Sequence, residues 1–271
     1  MQEHADRAAD FLELHRQQRP LLLANAWDVG SATLLASLGF KALATTSSGY
    51  AATLGRLDYS TSREEAVAHA AALAGATDVP LSADFEDGFA SDPAGVAETI
   101  GLALEAGLAG CSVEDWSGAD ERLYGADEAA ERIAAAAEAA HAGPVRLVLT
   151  ARAENYVREN PDLTDTIARL QAYQEAGADV LYAPGLHQPE EIREVIASVD
   201  LPVNVLVRPG APTVAQLTEL GIKRISVGGA FAFAALGAAT AAATELLREG
   251  TYEFLDLSAA GIKAVRTAFA D

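Results

Sequence analysis

Three carboxylates fall within four positions at Asp84-Phe85-Glu86-Asp87, where the short apolar run Val79–Ala83 ends. If this run is a strand, Asp84 and Glu86 point to one face, because side chains along a strand alternate with a period of two. Two like charges on one buried face repel each other and lose hydration. Mg²⁺ removes that cost and is typically held by one or two carboxylates together with water and substrate oxygens. The stretch therefore predicts a metal site, and its alternative is a solvated acidic loop.

A second acidic strand end favours the metal site. The run from Gly110 to Asp115 again passes from apolar to acidic residues, one helix length further along the chain, and carries Glu114. Two successive strand ends that both deliver carboxylates indicate a site more than an accidental acidic loop.

Alternation of apolar runs with helical segments predicts how these ends are positioned. Eight strand–helix pairs in one chain predict a parallel sheet closed into a (β/α)₈ TIM barrel, with residues 1–271 forming a single domain. A doubly wound open sheet is the alternative, but no G-x-G-x-x-G follows the first strand. The predicted strands are Leu21–Asp28, Lys41–Thr46, Val79–Ala83, Cys111–Val113, Val145–Thr150, Val180–Ala183, Val203–Val207 and Arg224–Val227.

A barrel of this type carries its functional residues at the C-terminal ends of its strands. Polar residues follow six of the predicted strands, which predicts that they meet at one mouth. They are Asn25, Trp27 and Asp28; Ser47 and Ser48; Asp84 and Glu86; Glu114; Arg152 and Glu154; and Asn204 and Arg208.

Composition limits the classes of partner. The 271 residues carry a formal net charge of −20, which disfavours binding to nucleic acid. One cysteine, Cys111, excludes an intrachain disulfide and fits a reducing, cytoplasmic environment. We expect no membrane partner, because no uninterrupted apolar run reaches the length of about 18 residues that a spanning helix needs.

Several segments, taken together in their order and spacing, resemble the isocitrate lyase/phosphoenolpyruvate mutase superfamily over nearly the whole chain. Ala151-Arg152 is similar to an A-R-T-D strand end of that superfamily, and the acidic stretch 84–88 is similar to its D-x-D-x-G. The other matching segments are Asn25-Ala26-Trp27-Asp28, Ser47-Ser48-Gly49, Gly55-Arg56-Leu57-Asp58, Val113-Glu114-Asp115 and 172–179.

The resemblance implies a site, a cofactor and an assembly. It implies Mg²⁺ or Mn²⁺ at Asp84, Glu86, Glu114 and Asp58, partly through water, and a small 2-oxo acid or phosphoenolpyruvate-like substrate. Arg152 would pair with the substrate carboxylate, and the 47–49 turn would hold a developing oxyanion. The implied catalytic residues are Ser48, Arg152 and Asp58; the implied substrate-binding residues are Trp27, Ser47, Ser48, Gly49, Arg152 and Asn204. The family also implies a homo-oligomer, a dimer or tetramer, in which the last barrel helix is swapped between partners.

One segment departs from the family. Isocitrate and methylisocitrate lyases carry a K-K-C-G-H loop whose cysteine is a general acid, whereas residues 115–125 contain neither Cys nor Lys. We therefore expect a metal-dependent carbon–carbon lyase that decarboxylates or cleaves an oxaloacetate-like 2-oxo acid through an enolate. Phosphorus–carbon chemistry, as a mutase or a phosphonopyruvate hydrolase, is one alternative. A 2-oxo acid-binding protein without turnover is the other. For Arg152 the alternative is a structural ion pair with Asp84 or Glu114.

Overall fold

The computed structural model describes residues 2–158 and 160–270, and eight parallel strands in it close into a barrel. The barrel strands are β1 (Leu21–Ala26), β2 (Leu43–Thr45), β3 (Leu81–Asp84), β4 (Gly110–Glu114), β7 (Val148–Arg152), β8 (Val180–Tyr182), β9 (Val203–Leu206) and β10 (Arg224–Ser226). A short antiparallel hairpin, β5 (Trp116–Ser117) and β6 (Arg122–Leu123), follows β4. Around the barrel the order is β1-β10-β9-β8-β7-β4-β3-β2. The predicted TIM barrel is confirmed.

Helices separate the barrel strands along the chain and surround the barrel. Their apolar faces pack on the outside of the sheet to form the main core. The helices are α1 (Gln2–Leu14), α2 (Val29–Ser37), α3 (Ser47–Thr53), α4 (Arg63–Ala74), α5 (Pro93–Glu105), α6 (Ala126–His141), α7 (Leu163–Glu175), α8 (Pro189–Ser198), α9 (Val214–Leu220), α10 (Ala230–Arg248) and α11 (Leu255–Ala268).

Polar caps fix where helices begin just after the strand ends. Asp28 Oδ1 accepts a hydrogen bond from the Ser31 amide at 2.6 Å, so α2 starts directly after the first strand end. At α4, Ser62 Oγ accepts from the Glu65 amide, and the Glu65 carboxylate accepts from the Ser62 amide. These reciprocal bonds satisfy amides that have no partner inside a helix. They hold the strand-to-helix turns that surround the mouth.

Helix α1 covers the N-terminal end of the barrel. Its buried Phe11 packs so closely on the start of β4 that a Cβ on Gly110 would lie 2.7 Å from Phe11 Cε1. Only glycine permits this approach. With this end packed, access to the barrel interior is from the C-terminal ends of the strands.

Helices α10 and α11 contribute almost no buried residues to the core. In α10 only Ala232 is buried, and α11 has no buried residue along its length. Apolar side chains such as Phe233, Leu236 and Ile262 are about half exposed. By length and composition alone α10 is also apolar enough to cross a membrane. This corrects the expectation that no stretch of the chain has those properties.

Candidate active site

A cavity of about 570 Å³ opens at the C-terminal ends of the barrel strands. This is the end at which TIM barrels carry their chemistry. Five of the predicted site residues line it: Ser47, Ser48, Asp58, Asp84 and Arg152. The other five, Trp27, Gly49, Glu86, Glu114 and Asn204, lie outside its lining.

Arg152 lies at the centre of a cluster of carboxylates. It ends β7, and the parallel register places it opposite Glu114, the last residue of β4. Its Nη1 donates to Asp84 Oδ1 at 2.8 Å, and its Nη2 lies 2.9 Å from Glu114 Oε2. Nη2 also lies 2.8 Å from Glu154 Oε1. Arg152 therefore forms the ion pairs that were the alternative to a grip on substrate, and a substrate carboxylate would have to compete with them.

Negative charge is in excess in this cluster. Burial raises the pKa of Glu114 well above its ordinary value, although the Arg152 guanidinium opposes the change. Burial likewise raises the pKa of Glu154. A second cation, Arg158, lies 3.7 Å from Glu154 and 3.9 Å from Glu114. Two guanidinium groups thus face three carboxylates, counting Asp84, so the cluster favours a proton or a further cation.

Asp84 joins the carboxylate cluster to the start of α3. Its Oδ2 accepts from the Ser47 amide at 3.3 Å and from Ser47 Oγ at 3.1 Å. Thr45 Oγ1 accepts from the Asp84 amide at 2.8 Å, which fixes the end of β3 against β2. The Asp84 carboxylate is therefore held on one side by α3 and on the other by Arg152.

The predicted 47–49 turn is the first turn of α3, a correction to the sequence-based interpretation. Thr46 caps the helix because its Oγ1 accepts from the Gly49 amide at 3.3 Å. The Ser47 amide is directed at Asp84. In the described part of the chain no residue accepts from the Ser48 amide, so Ser48 is the residue of this turn best placed to offer an amide to an oxyanion. Its role in catalysis stays a prediction.

Asp58, Asp84 and Glu86 form the acidic group on which a metal site depends. Burial and then the Asp84 charge raise the pKa of Asp58. Burial, followed by Asp84 and Asp58, raises the pKa of Glu86 to about 8. Glu86 Oε1 is buried and has no hydrogen-bond partner among the described residues. A buried carboxylate oxygen without a partner, beside two other acids, fits a hard divalent cation.

The geometry limits what kind of metal site this is. Within residues 2–158 and 160–270, no three Asp, Glu, His or Cys side chains are arranged to hold an ion by themselves. Mg²⁺ does not require such a cage, because it is usually bound through one or two carboxylates plus water and substrate oxygens. Asp84, with Asp58 and Glu86 beside it, would hold the ion in that manner. The ligand set stays a prediction.

The Glu86→Gln substitution should stabilise the metal-free protein at pH 8 and have little effect at pH 5. The pKa of Glu86 is about 8 in the folded protein and 4.5 for an ordinary Glu, so folding favours the protonated form. Its contribution to stability is therefore lost as the pH rises from about 4.5 to about 8, by an amount on the order of a few kcal/mol.

Thermal unfolding at both pH values in the presence of a chelator measures this effect. Added Mg²⁺ should then raise the melting temperature of the wild type more than that of Glu86→Gln. If the difference in melting temperature between the wild type and Glu86→Gln were the same at pH 5 and pH 8, the raised pKa of Glu86 would be contradicted.

Two cavity residues that contact the carboxylate cluster were not singled out from the sequence. Tyr59 OH donates to Glu114 Oε1 at 2.6 Å, and Arg158 lies over the rings of Trp116 and Tyr59 at 4.3 and 5.0 Å. Arg158 also contacts Tyr59 OH. The only sequence signal for Tyr59 is its position next to Asp58, and Arg158 lies in a loop with no pattern that marks it.

Buried Asp115 positions the end of β7. Its Oδ1 accepts from the Glu154 amide at 2.7 Å, and its Oδ2 accepts from Arg169 Nη1 at 3.0 Å and from Tyr173 OH. Burial raises the pKa of Asp115. Since Arg152 precedes this fixed amide by two residues, Asp115 and its partners hold the strand end that carries the guanidinium.

Asn204 and Trp27 do not line the cavity. Asn204 is buried, accepts from Arg224 Nε at 3.0 Å and donates to Ser226 Oγ at 2.9 Å. The Trp27 carbonyl lies 3.0 Å from His69 Nε2. Asn204 therefore holds Arg224 and Ser226, which line the cavity, and direct contact of Asn204 or Trp27 with substrate stays a prediction.

Comparison with known proteins identifies relatives of this chain. The family model for phosphoenolpyruvate phosphomutase matches residues 11–247. A Burkholderia cenocepacia J2315 protein provisionally described as a lyase/mutase has a crystal structure that matches all of this chain and 98% of its own, with a TM-score of 0.95 and 48% identity. An uncharacterized protein of Mycobacterium tuberculosis is 37% identical over 86% of this chain and 87% of its own length.

A relative with a named activity belongs to the same superfamily. The 2-methylisocitrate lyase of Halalkalibacterium halodurans is 30% identical over 84% of this chain and 72% of its own length. The proteins similar to this sequence thus include both lyases and mutases. The chain belongs to the phosphoenolpyruvate phosphomutase family, within the metal-dependent isocitrate lyase/phosphoenolpyruvate mutase superfamily of enzymes.

Proposed function

We propose that this enzyme is a Mg²⁺-dependent lyase, able to use Mn²⁺ as well, that cleaves a carbon–carbon bond or decarboxylates a small oxaloacetate-like 2-oxo acid through an enolate. The observation that carries the proposal is the acidic group around Asp84, held at the cavity beside the Arg152 guanidinium and the start of α3. Acids for a hard cation and a guanidinium for a carboxylate are the two features that a 2-oxo acid requires.

The metal, Arg152 and the Ser48 amide would each have a definite part in the reaction. The metal, when bound at Asp84, would supply Lewis-acid stabilisation of the negative charge that develops on the 2-oxo group. Arg152 would exchange one of its carboxylate partners for the substrate carboxylate and orient the bond that breaks. The Ser48 amide would donate a hydrogen bond to the enolate oxygen, a contribution typically worth several kcal/mol in preorganised sites.

Release of the shortened 2-oxo acid tests this function: pyruvate from oxaloacetate, and the correspondingly shortened 2-oxo acid from C3-branched 2-oxo acids. It is measured with and without Mg²⁺ after treatment with a chelator, and a blank without enzyme corrects for decarboxylation by the metal alone. Mg²⁺-dependent release above the blank is expected. Tight ligand binding without release from any acid of the panel would instead indicate a binding protein without turnover.

Isocitrate and 2-methylisocitrate should be poor substrates. Residues 115–125 contain no thiol or Lys and form the tight β5–β6 hairpin in place of the longer cysteine loop of those lyases. Proton transfer by a positioned acid is worth roughly 10²–10⁴-fold in rate, and Ser117 has a pKa far from neutral. A turnover number on the order of 1–10³ per second for either acid would contradict this expectation.

Phosphorus–carbon chemistry is the second candidate, and the description of the matching family model favours it. The same acidic group and guanidinium would suit a phosphonopyruvate or phosphoenolpyruvate substrate. A ³¹P NMR survey of both compounds with Mg²⁺ separates the candidates, because either mutase or hydrolase activity changes the phosphorus signal and a carbon–carbon lyase leaves it unchanged.

We also propose that the enzyme is a cytoplasmic homo-oligomer, a dimer or tetramer, in which α10 packs on a neighbouring copy. Support comes from the apolar residues of α10, such as Phe233 and Leu236, which are about half exposed. A helix of a TIM barrel normally packs its apolar side chains against the barrel, but in α10 only Ala232 is buried. The buried single Cys111 agrees with a reducing compartment. Sedimentation equilibrium of the full chain tests the assembly, and a monomer at micromolar concentration would exclude it.

A further inference from the structure

A second arginine lies in the inner part of the active-site cavity. Arg224 begins β10 and lines the same cavity as Arg152. It pairs in register with Leu21, the first residue of β1, so it lies toward the N-terminal end of the barrel, whereas Arg152 ends β7. Small side chains on the intervening strands leave space between the two levels: Ala44, Ser82 and Ser112.

Neutral groups alone hold the Arg224 guanidinium. Nε donates to Asn204 Oδ1 at 3.0 Å, and Nη1 donates to Thr150 Oγ1 at 2.9 Å. In the described ranges, Nη2 has no hydrogen-bond partner and no carboxylate lies within 4.0 Å of the side chain. Only 3% of Arg224 is exposed. Arg152, by contrast, contacts three carboxylates.

A buried cation without a counter-charge is costly, because it loses hydration without gaining an ion pair. Burial, with the positive charge of Arg152 as a smaller cause, lowers the pKa of Arg224 to about 10. The side chain therefore remains charged at neutral pH. Its hydrogen-bonded geometry aims an uncompensated positive charge into the cavity, which is an arrangement suited to an anion.

We propose that Arg224 binds the second carboxylate of a dicarboxylate 2-oxo acid, while the carboxylate next to the 2-oxo group lies at Arg152. The inference rests on the proposed function, because it assigns a substrate class to the same cavity. It makes Arg224 the residue that separates dicarboxylates from monocarboxylates. A purely structural role, tying β7, β9 and β10 together through Thr150 and Asn204, is the rival account.

Calorimetric titration of the chain with Mg²⁺ present compares two pairs of stable ligands. Malonate is paired with propionate, and 2-oxoglutarate with 2-oxopentanoate, so each pair exchanges a carboxylate for a methyl group. The variants are Arg224→Gln, whose amide can still bond to its neighbours, and Arg224→Lys. Lys223→Gln is the matched control, because the neighbouring Lys223 is only partly buried and its Nζ donates to the Gln17 carbonyl outside the active-site cavity.

The wild type should bind at least one dicarboxylate more tightly than its partner. Arg224→Gln should weaken dicarboxylate binding roughly ten- to a hundredfold, the usual loss for a charged hydrogen-bond partner. Monocarboxylate binding should change little, Arg224→Lys should retain part of the preference, and Lys223→Gln should match the wild type. If Arg224→Gln does not fold, the wild type and Arg224→Lys still report the preference.

Three outcomes would overturn the inference: a wild type without any preference for dicarboxylates, an Arg224→Gln variant that loses both ligands of a pair equally, or an Arg224→Gln variant that keeps the wild-type preference. The second outcome is the one that a structural role predicts. The test is independent of turnover. A dicarboxylate preference without pyruvate release contradicts only the proposed lyase, and release with an unchanged preference in Arg224→Gln contradicts only the Arg224 site.

Discussion

Replacing Asp84 with alanine should abolish Mg²⁺-dependent turnover and leave the barrel folded. Asp84 is the acid that contacts both the Ser47 amide and Arg152, so its removal takes away the central oxygen ligand of the predicted metal site. The fold should survive because Arg152 keeps Glu114 and Glu154 as partners. Activity is assayed after chelator treatment across a Mg²⁺ titration, and folding is followed by circular dichroism.

Asp78→Ala is the matched control for this experiment. Asp78 is an exposed acid just before β3, at the opposite end of the strand that Asp84 ends, and its removal changes the net charge equally. Its activity should equal that of the wild type. Normal activity in Asp84→Ala at any Mg²⁺ concentration would exclude the proposed metal site.

Replacing Arg152 with alanine should weaken 2-oxo acid binding roughly ten- to a hundredfold, because the ligand loses a charged hydrogen-bonding partner. It should also lower the melting temperature, because Glu114 and Glu154 then become buried charges without their main cation. Breaking a buried ion pair by removal of one partner typically costs about 3–5 kcal/mol. Both quantities are measured on the same preparation.

The Arg152→Lys variant separates the two contributions. Lysine returns the positive charge, so most of the thermal stability should return. Affinity should return only in part, because a point charge does not reproduce the two-pronged contact of a guanidinium with a carboxylate. Reduced melting temperature in Arg152→Ala together with unchanged 2-oxo acid affinity would show that Arg152 is structural only.

Most of the barrel could be predicted from local patterns in the sequence. Apolar runs buried on both faces mark parallel strands, and each of the eight predicted strands overlaps a strand of the barrel. The predicted ends of strands were wrong where contacts with neighbouring strands determine how far a strand extends. The predicted strand Val145–Thr150 is β7, Val148–Arg152, because its pairing with β4 extends to the register of Glu114 and Arg152. Helix α11 and the β5–β6 hairpin were not predicted.

The site was predictable only in its strand-end residues. Ser47, Asp84 and Arg152 meet because the C-terminal ends of parallel strands share one mouth, a rule that needs no coordinates. Tyr59 and Arg158 come from loops, and their contacts with Glu114 depend on how those loops fold over the barrel. The charge of Arg224 inside the cavity likewise arises from packing, since no sequence pattern distinguishes it from a surface arginine.

A crystal structure of the protein soaked with Mg²⁺ and a 2-oxo acid tests the central claim most directly. We expect the ion at Asp84, the 2-oxo acid chelated to it, and the ligand carboxylate at Arg152 in place of one of its present carboxylate partners. The contrary result is an ion or ligand bound away from Asp84, with Arg152 still paired to Asp84, Glu114 and Glu154.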